Sequence, residues 1–234
     1  MQAGIVRAGI IFDLDGVLTD TVEFHYRSWK RLAGELGITF SRGANEALRG
    51  RSRGEALELF LAGRSKESDP RELRERKNGY FLEYVAELGP QHLLAGVEGL
   101  LHSARAAGLG LGLASSSQNA RLVCSKLGVL DLFDAFADGC SGLRPKPEPD
   151  TFLWVAGRLD LRPQECVVVE DATAGVAAAL AGGFRVVGLG PRERVGKAHL
   201  VLNDLGQATL DDLLPSSSRG ETSANARVEL GNGT

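Results

Sequence analysis

The sequence predicts an α/β protein in which a core of parallel strands and helices is interrupted by an all-helical insertion. Two observations predict the core: short apolar runs end abruptly in polar residues, and helical patterns separate these runs. A third predicts the insertion, because one long, charged stretch near the N-terminus has helical periodicity and no convincing buried strand. Together they indicate a Rossmann-like parallel-sheet core with an inserted all-helical cap domain.

The predicted strands of the core are apolar throughout. The first covers residues 8–12 and ends at Asp13, which is typical of a strand buried on both faces. Strands that alternate with helices indicate βαβ units, whose strands run parallel. The later strands are predicted at 109–114, 166–169 and 184–188, and the helices between and after them at 97–107, 118–127, 151–159 and 172–181.

The predicted cap covers residues 21–92. Its helices are expected at 22–36, 54–61 and 70–88, with Pro70 in the first turn of the last one. Because the α/β pattern resumes only after Leu94, the core is expected to be discontinuous, and a cap inserted there can act as a lid. The predicted domains are a core of residues 1–20 plus 93–214, the cap, and a disordered, non-catalytic tail at 215–234, where the sequence becomes small and polar.

Composition excludes several classes of protein. Hydrophobic residues make up 43% of the 234 residues, enough for a sizeable core. The 27 Lys and Arg against 30 Asp and Glu give a net charge of −3, which provides no basic field for a nucleic acid. No apolar segment approaches the roughly 20 residues that span a bilayer. The three cysteines are odd in number and widely spaced. We therefore expect a cytoplasmic monomer that binds neither nucleic acid nor membrane and has no disulfide framework or zinc site.

Two carboxylates stand at the end of the first predicted strand. Asp13 and Asp15 are two residues apart, so in an extended chain both side chains project to the same side. Gly16 then allows the backbone to turn close to a ligand. Neighbouring carboxylates repel each other unless a cation such as Mg²⁺ lies between them or the two take different roles, one as nucleophile and one as general acid/base. An Asp-x-Asp pair alone also occurs in surface turns, so the pair needs company to be diagnostic.

Polar residues at other strand ends provide that company. Ser115 follows the second predicted strand, Glu170 and Asp171 follow the third, and Lys146 lies in a loop between them. Because ligand sites in open α/β sheets gather at the carboxyl ends of the strands, these side chains are expected to converge. The helix expected near residue 118 would add backbone N–H groups beside Ser115. An aspartate, a hydroxyl, a fixed ammonium and a second acidic pair form a set suited to phosphoryl transfer.

The motif Asp13-Leu-Asp15-Gly16-Val-Leu-Thr, with Ser115, Lys146 and the pair Glu170-Asp171, resembles the four motifs of the haloacid dehalogenase superfamily in order and spacing. The resemblance is to the β-phosphoglucomutase members over nearly all of residues 8–214. It includes cap segments that most phosphatases of the superfamily lack, at 23–30, 48–53 and 76–78, and the core loop at 113–119.

The resemblance implies roles for the acidic residues. Asp13 would accept the phosphoryl group as an aspartyl phosphate, and Asp15 would protonate the leaving sugar oxygen and deprotonate the incoming one. It also implies the cofactor Mg²⁺, held by Asp13, the main-chain carbonyl of Asp15 and Asp171, with Glu170 as a ligand or close supporter.

The same resemblance implies a set of phosphate and sugar contacts, with a small sugar phosphate as substrate. The transferring phosphoryl group would be bound by Ser115, Ser116 and Lys146. A second, non-reacting phosphate would lie opposite Asp13, near Arg53. The implied substrate contacts are Thr21, His25, Trp29, Gly50, Arg53 and Lys77 in the cap, and Ser117, Gln118 and Asn119 in the core loop.

Each cap residue also has a purely structural interpretation. His25 and Trp29 are four residues apart on one predicted helix, a spacing that more often reflects packing. Lys77 lies in a charged helix and is equally typical of a solvated face. The arginines at 49, 51 and 53 form a small anion patch or an exposed loop.

Two positions depart from the family pattern. Gln118 stands where related mutases usually carry Lys or Arg, and Arg51 stands where an aliphatic residue is usual. We hypothesise that Arg51 compensates for the missing charge, because a hydrogen bond to a charged group is worth about 1.5–3 kcal/mol. The changed pair leaves the preferred sugar phosphate open.

Three functions are compatible with the sequence. The first is an Mg²⁺-dependent β-phosphoglucomutase that interconverts β-D-glucose 1-phosphate and glucose 6-phosphate through β-glucose 1,6-bisphosphate. The second is a capped sugar-phosphate phosphatase, in which water attacks the same aspartyl phosphate. The third is a non-catalytic binding protein, which would have no need of two carboxylates at the end of a strand.

Overall fold

The computed structural model describes residues 8–62 and 69–214. Its centre is a six-stranded sheet in which every pair of neighbours runs parallel, in the order β3-β2-β1-β4-β5-β6. The predicted α/β class with a Rossmann-like parallel sheet is confirmed. The expected tail at 215–234 lies outside the described residues. The strands are β1 (Gly9–Phe12), β2 (Gly110–Ala114), β3 (Ala135–Ala137), β4 (Cys166–Glu170), β5 (Arg185–Leu189) and β6 (Leu200–Leu202).

The chain places helices between the strands and in the insertion. The first four, which lie between β1 and β2, are α1 (Val22–Glu35), α2 (Arg42–Glu46), α3 (Arg53–Leu61) and α4 (Pro70–Val85). The others are α5 (Val97–Ala106), α6 (Ala120–Lys126), α7 (Asp150–Arg158), α8 (Thr173–Ala181), α9 (Arg192–Val195) and α10 (Leu210–Leu213). Short 3₁₀ turns cover Pro90–His92, Leu130–Leu132 and Pro163–Glu165. The short elements α2, α9, α10, β3 and β6 were not predicted, because none is long enough to show a clear period.

Strand β1 is buried on both of its faces. Ile10 and Phe12 point into one hydrophobic cluster, and Ile11 points into the other. All four residues of the strand are fully buried. This arrangement explains the uninterrupted apolar run, since neither face of a sheet covered by helices contacts water.

The inserted helices pack around a cluster of their own. Trp29 stacks on Phe60 with ring centroids 4.8 Å apart, and both are buried with Leu32 and Leu73. Ser52 begins α3 with a reciprocal capping box, and Pro70 lies in the first turn of α4 as expected. Whether the ranges 1–20 plus 93–214 and 21–92 are independent folding units stays a prediction.

Both connections between the insertion and the core pass beside Thr19. The Thr19 hydroxyl donates to the carbonyl of His92 at 2.8 Å, and Thr19 forms an antiparallel bridge with Leu93. The backbone N–H of Leu94 donates to the carbonyl of Leu18 at 2.9 Å. The outgoing and returning segments are therefore fastened to each other at the point where the insertion begins.

Two further expectations concern the described part of the chain. No helix within residues 8–62 and 69–214 is long and apolar enough to cross a bilayer. All three cysteines are free thiols; Cys124 and Cys166 are buried and Cys140 is exposed.

Candidate active site

The carboxylate of Asp13 lies directly at the end of β1. Its backbone N–H donates to the carbonyl of Val169 on β4, which fixes the residue between the two central strands. Its Oδ2 accepts the backbone N–H of Asp15 at 3.0 Å. The strand order reverses on either side of β1, and such a switch point is where ligands bind in open α/β sheets.

Lys146 lies beneath the pocket and joins two acidic side chains. Its Nζ is 2.5 Å from Oδ1 of Asp13, 2.6 Å from Oε1 of Glu170 and 3.1 Å from the carbonyl of Ala114. The residue is only 1% exposed, and although burial alone would lower its pKa, the two carboxylates raise it. Lys146 is therefore a permanent cation, as a buried ammonium must be when it is paired on two sides.

Glu170 and Asp171, at the end of β4, point in different directions. Glu170 faces Lys146, and its Oε2 accepts the backbone N–H of Ala172 at 2.6 Å. A side chain at Gly175 could not fit, because its Cβ would lie 1.7 Å from Oε1 of Glu170. Asp171 faces the pocket, where its Oδ2 pairs with Nη1 of Arg49 from the insertion. Burial and the neighbouring Glu170 raise the pKa of Asp171 to about 7.

The acidic groups fit a divalent cation by charge and by donor type. Asp13, Asp15, Glu170 and Asp171 place four carboxylates together, and burial raises the pKa of Asp13 well above its usual range. Arg49 already supplies a cation to Asp171, and a Cβ placed on Gly16 would lie 2.1 Å from Oδ2 of Asp171 and 3.2 Å from Nη1 of Arg49. The backbone after Asp15 thus approaches Asp171 closely. Carboxylate and carbonyl oxygens at such a point are the donors that Mg²⁺ prefers.

In this structure, the side chains expected to bind the metal ion are not arranged as a preformed coordination site. Within the described residues, no group of three His, Cys, Asp or Glu side chains has the geometry to hold a metal ion. Both oxygens of Glu170 are engaged by Lys146 and the backbone of Ala172. Glu170 is thus placed to support the site rather than to bind an ion directly.

Asp15 is oriented by the residue that begins the insertion. The Thr21 hydroxyl, which is buried, donates a short hydrogen bond to Oδ1 of Asp15. Burial raises the pKa of Asp15, although Thr21 and Lys77 act in the opposite direction. His25 lies nearby, with its Nε2 3.9 Å from Oδ1 of Asp15.

Lys77 is buried in the roof of the pocket, the part of the insertion that borders the cleft and includes Arg49, Arg53 and Lys77. Its Nζ is 2.7 Å from Nδ1 of His25 and lies over the rings of Trp29 and Phe81. Burial and the nearby Arg53 lower the pKa of Lys77 to about 7, and burial also lowers that of His25 well below its usual value. The residue is 6% exposed, so the interpretation of Lys77 as part of a solvated helix face is wrong.

Trp29 has the structural role that its spacing suggested, together with a place in the pocket wall. It is buried in the hydrophobic cluster of the insertion, and it also borders the pocket beside Lys77. His25 likewise stacks on Phe81, with ring centroids 4.3 Å apart.

On the far side of the pocket, the insertion and the core meet at Asn78. Its Oδ1 accepts from Nη2 of Arg53 at 2.8 Å and from Nδ2 of Asn119 at 2.8 Å. Arg53 is half-buried and, within the described residues, forms no ion pair with a carboxylate. Gln118 and Arg51 are exposed at the rim of the same pocket.

The loop after β2 brings three serines to the site. The Oγ of Ser115 accepts the backbone N–H of Ser117 at 3.0 Å, and Ser115 is buried. The hydroxyl of Ser116 donates to the carbonyl of Gly50 in the insertion at 3.0 Å. Helix α6 begins at Ala120, so the expected helix start near Gln118 was two residues early. Between Ser115 and the start of α6, the backbone N–H groups of Ser117 and Asn119 donate to the hydroxyls of Ser115 and Ser117.

Gly50 is a point at which the insertion packs closely against the core. Its φ is +71°, and a Cβ there would lie 2.8 Å from Cβ of Ala172. A glycine therefore satisfies both the backbone conformation and the contact.

The structure brings nearly all of the expected residues to one cleft. Those that border it are Asp13, Asp15, Asp171, His25, Trp29, Gly50, Arg53, Lys77, Ser116, Ser117, Gln118 and Asn119. Lys146 and Glu170 are buried beneath Asp13, and Ser115 is buried beside the cleft. Asn78 and Asn45 also border it and were given no role from the sequence. Arg49, expected to belong to an anion patch or an exposed loop with Arg51 and Arg53, borders it too and pairs with Asp171. Asn78 was visible in the sequence only as part of the 76–78 segment of the family resemblance.

Comparison with known proteins agrees with this geometry. A haloacid dehalogenase-like hydrolase family model matches residues 8–183. The chain is 39% identical over 207 residues to the β-phosphoglucomutase of Bacillus subtilis, covering 86% of this chain and 92% of the relative. It is 32% identical over 180 residues to the fructose-1-phosphate phosphatase YqaB of Escherichia coli, covering 77% and 95%.

Solved structures give the same result. The crystal structure of a β-phosphoglucomutase from Clostridium difficile matches with a TM-score of 0.84 and 36% identity, over 88% of this chain and 95% of that one. The family match spans most of the described core and insertion, and the expected resemblance to β-phosphoglucomutases is confirmed. The protein is therefore an enzyme of the haloacid dehalogenase-like hydrolase family.

Proposed function

We propose that the protein is a β-phosphoglucomutase that interconverts β-D-glucose 1-phosphate and glucose 6-phosphate through an aspartyl-phosphate enzyme and β-glucose 1,6-bisphosphate. The observation that carries the proposal is Arg53, a half-buried cation without a carboxylate partner in the described residues, which faces the same cleft as Asp13. A phosphatase needs one phosphate site, whereas a mutase must hold a bisphosphate by both ends. The similarity to the Bacillus subtilis enzyme supports the same choice.

In the first half-reaction, an oxygen of Asp13 attacks the phosphorus of the bisphosphate. The bond between phosphorus and the sugar oxygen breaks, and Asp15 gives its proton to that oxygen. Burial raises the pKa of Asp15, which favours the protonated form needed for this step, and Thr21 holds its carboxyl group in place. In the second half-reaction, Asp15 takes the proton from the incoming hydroxyl as that oxygen attacks the phosphorus and the bond to Asp13 breaks.

The negative charge on the transferring phosphoryl group would be balanced by Lys146 and by hydrogen-bond donors of the loop after β2. Lys146 is fixed 2.5 Å from Asp13 and lies next to the position of the phosphoryl oxygens. Ser115 and the Ser116 backbone lie in the adjacent loop and can donate to the same oxygens. Such preorganised charges account for most of the catalysis in phosphoryl transfer.

The proposal includes Mg²⁺ as cofactor. Asp13, the main-chain carbonyl of Asp15 and Asp171 would hold it, with Glu170 as a supporter, and the ion would neutralise charge between the carboxylates and the phosphoryl group. Asp171 would exchange its contact with Arg49 for the ion.

The insertion serves as the lid in this proposal. Gly50, Arg49 and Asn78 contact the core around the cleft, so the closed arrangement excludes water from Asp13. His25 and Lys77 lie above Asp15, where they can contact the sugar. A cytoplasmic monomer is part of the proposal; the three free thiols are compatible with a reducing compartment.

One assay tests the function. The enzyme receives β-glucose 1-phosphate, Mg²⁺ and a trace of β-glucose 1,6-bisphosphate, and glucose 6-phosphate and free phosphate are followed together. We expect glucose 6-phosphate with little free phosphate. Free phosphate as the main product would identify a phosphatase, and neither product would contradict both enzymatic functions.

The nucleophile is tested by Asp13→Asn, with Asp131→Asn at an exposed position as the matched control. We expect Asp13→Asn to lower kcat by at least about 10⁴-fold, because an amide oxygen cannot form the phosphoenzyme, and the control to keep full activity. Acid-quenched enzyme should carry phosphate in the wild type and not in Asp13→Asn. Phosphate retained by Asp13→Asn would move the nucleophile elsewhere.

A further inference from the structure

The carboxamide of Asn78 joins three separate parts of the molecule. Asn78 lies on α4, Arg53 is the first residue of α3, and Asn119 lies in the core loop before α6. One oxygen, Oδ1 of Asn78, accepts hydrogen bonds from both of the other side chains, each at 2.8 Å. Two helices of the insertion and one loop of the core therefore meet at a single atom.

The chemical nature of that atom determines what Arg53 can do. An amide oxygen orients the guanidinium through a hydrogen bond but does not cancel its charge. Burial lowers the pKa of Arg53; Cys140 acts in the opposite direction and Arg74 in the same one. Within the described residues, Arg53 forms no ion pair with a carboxylate, and its side-chain contact is the amide oxygen of Asn78. A carboxylate at position 78 would instead form a charge-assisted pair and neutralise the cation.

The remaining atoms of Asn78 and Asn119 point to the same conclusion. Within the described residues, no acceptor contacts Nδ2 of Asn78, although the residue borders the cleft. Asn78 therefore presents to the cleft its own N–H donors, an oriented guanidinium and the Asn119 loop. Gln118, at the rim, contributes no charge.

We propose that Asn78 is a positioning residue that assembles the second anion site only when the insertion lies against the core, and that it must be neutral to do so. The proposal rests on the proposed function for its two-phosphate substrate. Because Arg53 comes from the insertion and Asn119 from the core, the shared oxygen links the position of the lid to the orientation of both donors. Opening the lid would separate Asn119 from Arg53 and dismantle the site.

A purely structural role for Asn78 makes the opposite prediction for one variant. Asn78→Asp keeps the shape of the side chain and strengthens the contact with Arg53, so a residue that only joins helices would tolerate it well. If Asn78 serves an anion, Asn78→Asp is the worst substitution, because the new carboxylate neutralises Arg53 and repels phosphate. Asn78→Ala, which removes the bridge without adding charge, lies between.

The experiment measures binding of β-glucose 1,6-bisphosphate and glucose 6-phosphate by calorimetry with Mg²⁺ present, in the Asp13→Asn background so that no turnover occurs. We expect bisphosphate affinity to fall about tenfold in Asn78→Ala and at least about 50-fold in Asn78→Asp. Glucose 6-phosphate, which the proposed mechanism leaves with its phosphate in the second site, should lose affinity in the same order. Asn203→Asp, an exposed position outside the cleft, controls for the added charge and should match its parent.

Thermal unfolding of the same proteins separates assembly of the site from folding. We expect the melting temperature of Asn78→Asp to be at least that of Asn78→Ala, in the reverse order of the bisphosphate affinities. Equal bisphosphate affinity of Asn78→Asp and its parent would overturn the proposal, as would a smaller loss in Asn78→Asp than in Asn78→Ala. Failure of the product assay above would remove the mutase activity, whereas the order of the two Asn78 variants in sugar-phosphate affinity would still report on Asn78.

Discussion

Lys146 and Lys77 are both buried beside the cleft, and their surroundings shift their pKa values in opposite directions. Lys146 lies in the floor of the cleft, the core side formed by Asp13, Lys146, Glu170 and Asp171. It has two carboxylates within 2.6 Å, and these raise its pKa. Lys77, in the roof, has the neutral ring of His25, two aromatic faces and Arg53 nearby, and its pKa falls to about 7.

The difference between these two lysines indicates that the floor and the roof of the cleft contribute differently to ligand binding. In the floor, Lys146 is already paired with Asp13 and Glu170, so the positions of these side chains are set before a ligand arrives. In the roof, Lys77 contacts the neutral ring of His25 and Arg53 contacts the amide oxygen of Asn78. Within the described residues neither of these two forms an ion pair with a carboxylate, so an anion in the cleft would add a favourable partner. The floor is therefore preorganised for phosphoryl transfer, whereas we expect the roof to close when an anionic ligand binds.

Lys146→Met is the harshest test of this comparison. It leaves Asp13 and Glu170 facing each other without a counter-charge, and removing one partner of a buried pair costs about 3–5 kcal/mol. We expect a loss of that size in the free energy of unfolding at pH 8, measured with urea, together with a fall in kcat of at least about 10³-fold. The exposed Lys197→Met is the control. The loss should shrink at acid pH, as the carboxylate of Asp13, whose pKa burial raises, becomes protonated; a variant as stable as the wild type at pH 8 would refute the pairing.

Lys77→Met tests the other lysine. Between pH 7 and 10.5 the unfolded chain holds a proton on Lys77 that the folded protein has released, so this residue makes wild-type stability rise with pH. We expect Lys77→Met to be more stable than the wild type at pH 7, with the advantage falling by about 2–3 kcal/mol by pH 9. Urea unfolding at both values measures it. A pH-independent difference would show that Lys77 keeps its charge in the folded state.

Arg49→Ala tests a roof cation that has a partner in the floor. Arg49 contacts Asp171 and Glu46, and Glu46 also pairs with Arg194 at 3.2 Å. Because a guanidinium and a metal ion compete for Asp171, we expect Arg49→Ala to bind Mg²⁺ about fivefold more tightly without sugar phosphate. Calorimetric titration of Mg²⁺ measures this, and Arg49→Lys should fall between. Weaker binding in Arg49→Ala would mean that Arg49 supports the ion rather than competing with it.

The smallest effect is expected at Arg51. It is exposed at the rim of the cleft, where its charge is screened by water. If it compensates for the neutral Gln118, Arg51→Ala should weaken binding of β-glucose 1,6-bisphosphate about two- to threefold in the Asp13→Asn background. Arg192→Ala is the exposed control. Unchanged affinity would end the compensation hypothesis.

The floor could be predicted from the sequence because position along the chain determines it. Asp13, Ser115 and Glu170 lie at or directly after parallel strands, and the ends of such strands meet at one edge. The sheet itself followed from the buried apolar runs. Strands β3 and β6 were missed because three residues are too few for a recognisable pattern.

The roof could not be predicted in the same way. The contact between Arg49 and Asp171 joins residues 122 positions apart, and no local pattern encodes it. Lys77 lies on a charged helix, and only the docking of α4 against α1 makes its position a buried one. Asn78 has no chemical signature until Arg53 and Asn119 are brought to it by the tertiary fold.

The fastening at Thr19 has a consequence for how this architecture can be altered. Because the chain leaves and returns side by side, a change in the length of the segment between alters the loop-closure entropy only slowly, by about 0.6 kcal/mol for each doubling. A segment of quite different length or origin could be grafted at this junction without disturbing the sheet. A different segment there would change which substrate fits above Asp13 and would leave Asp13 and Lys146 in place.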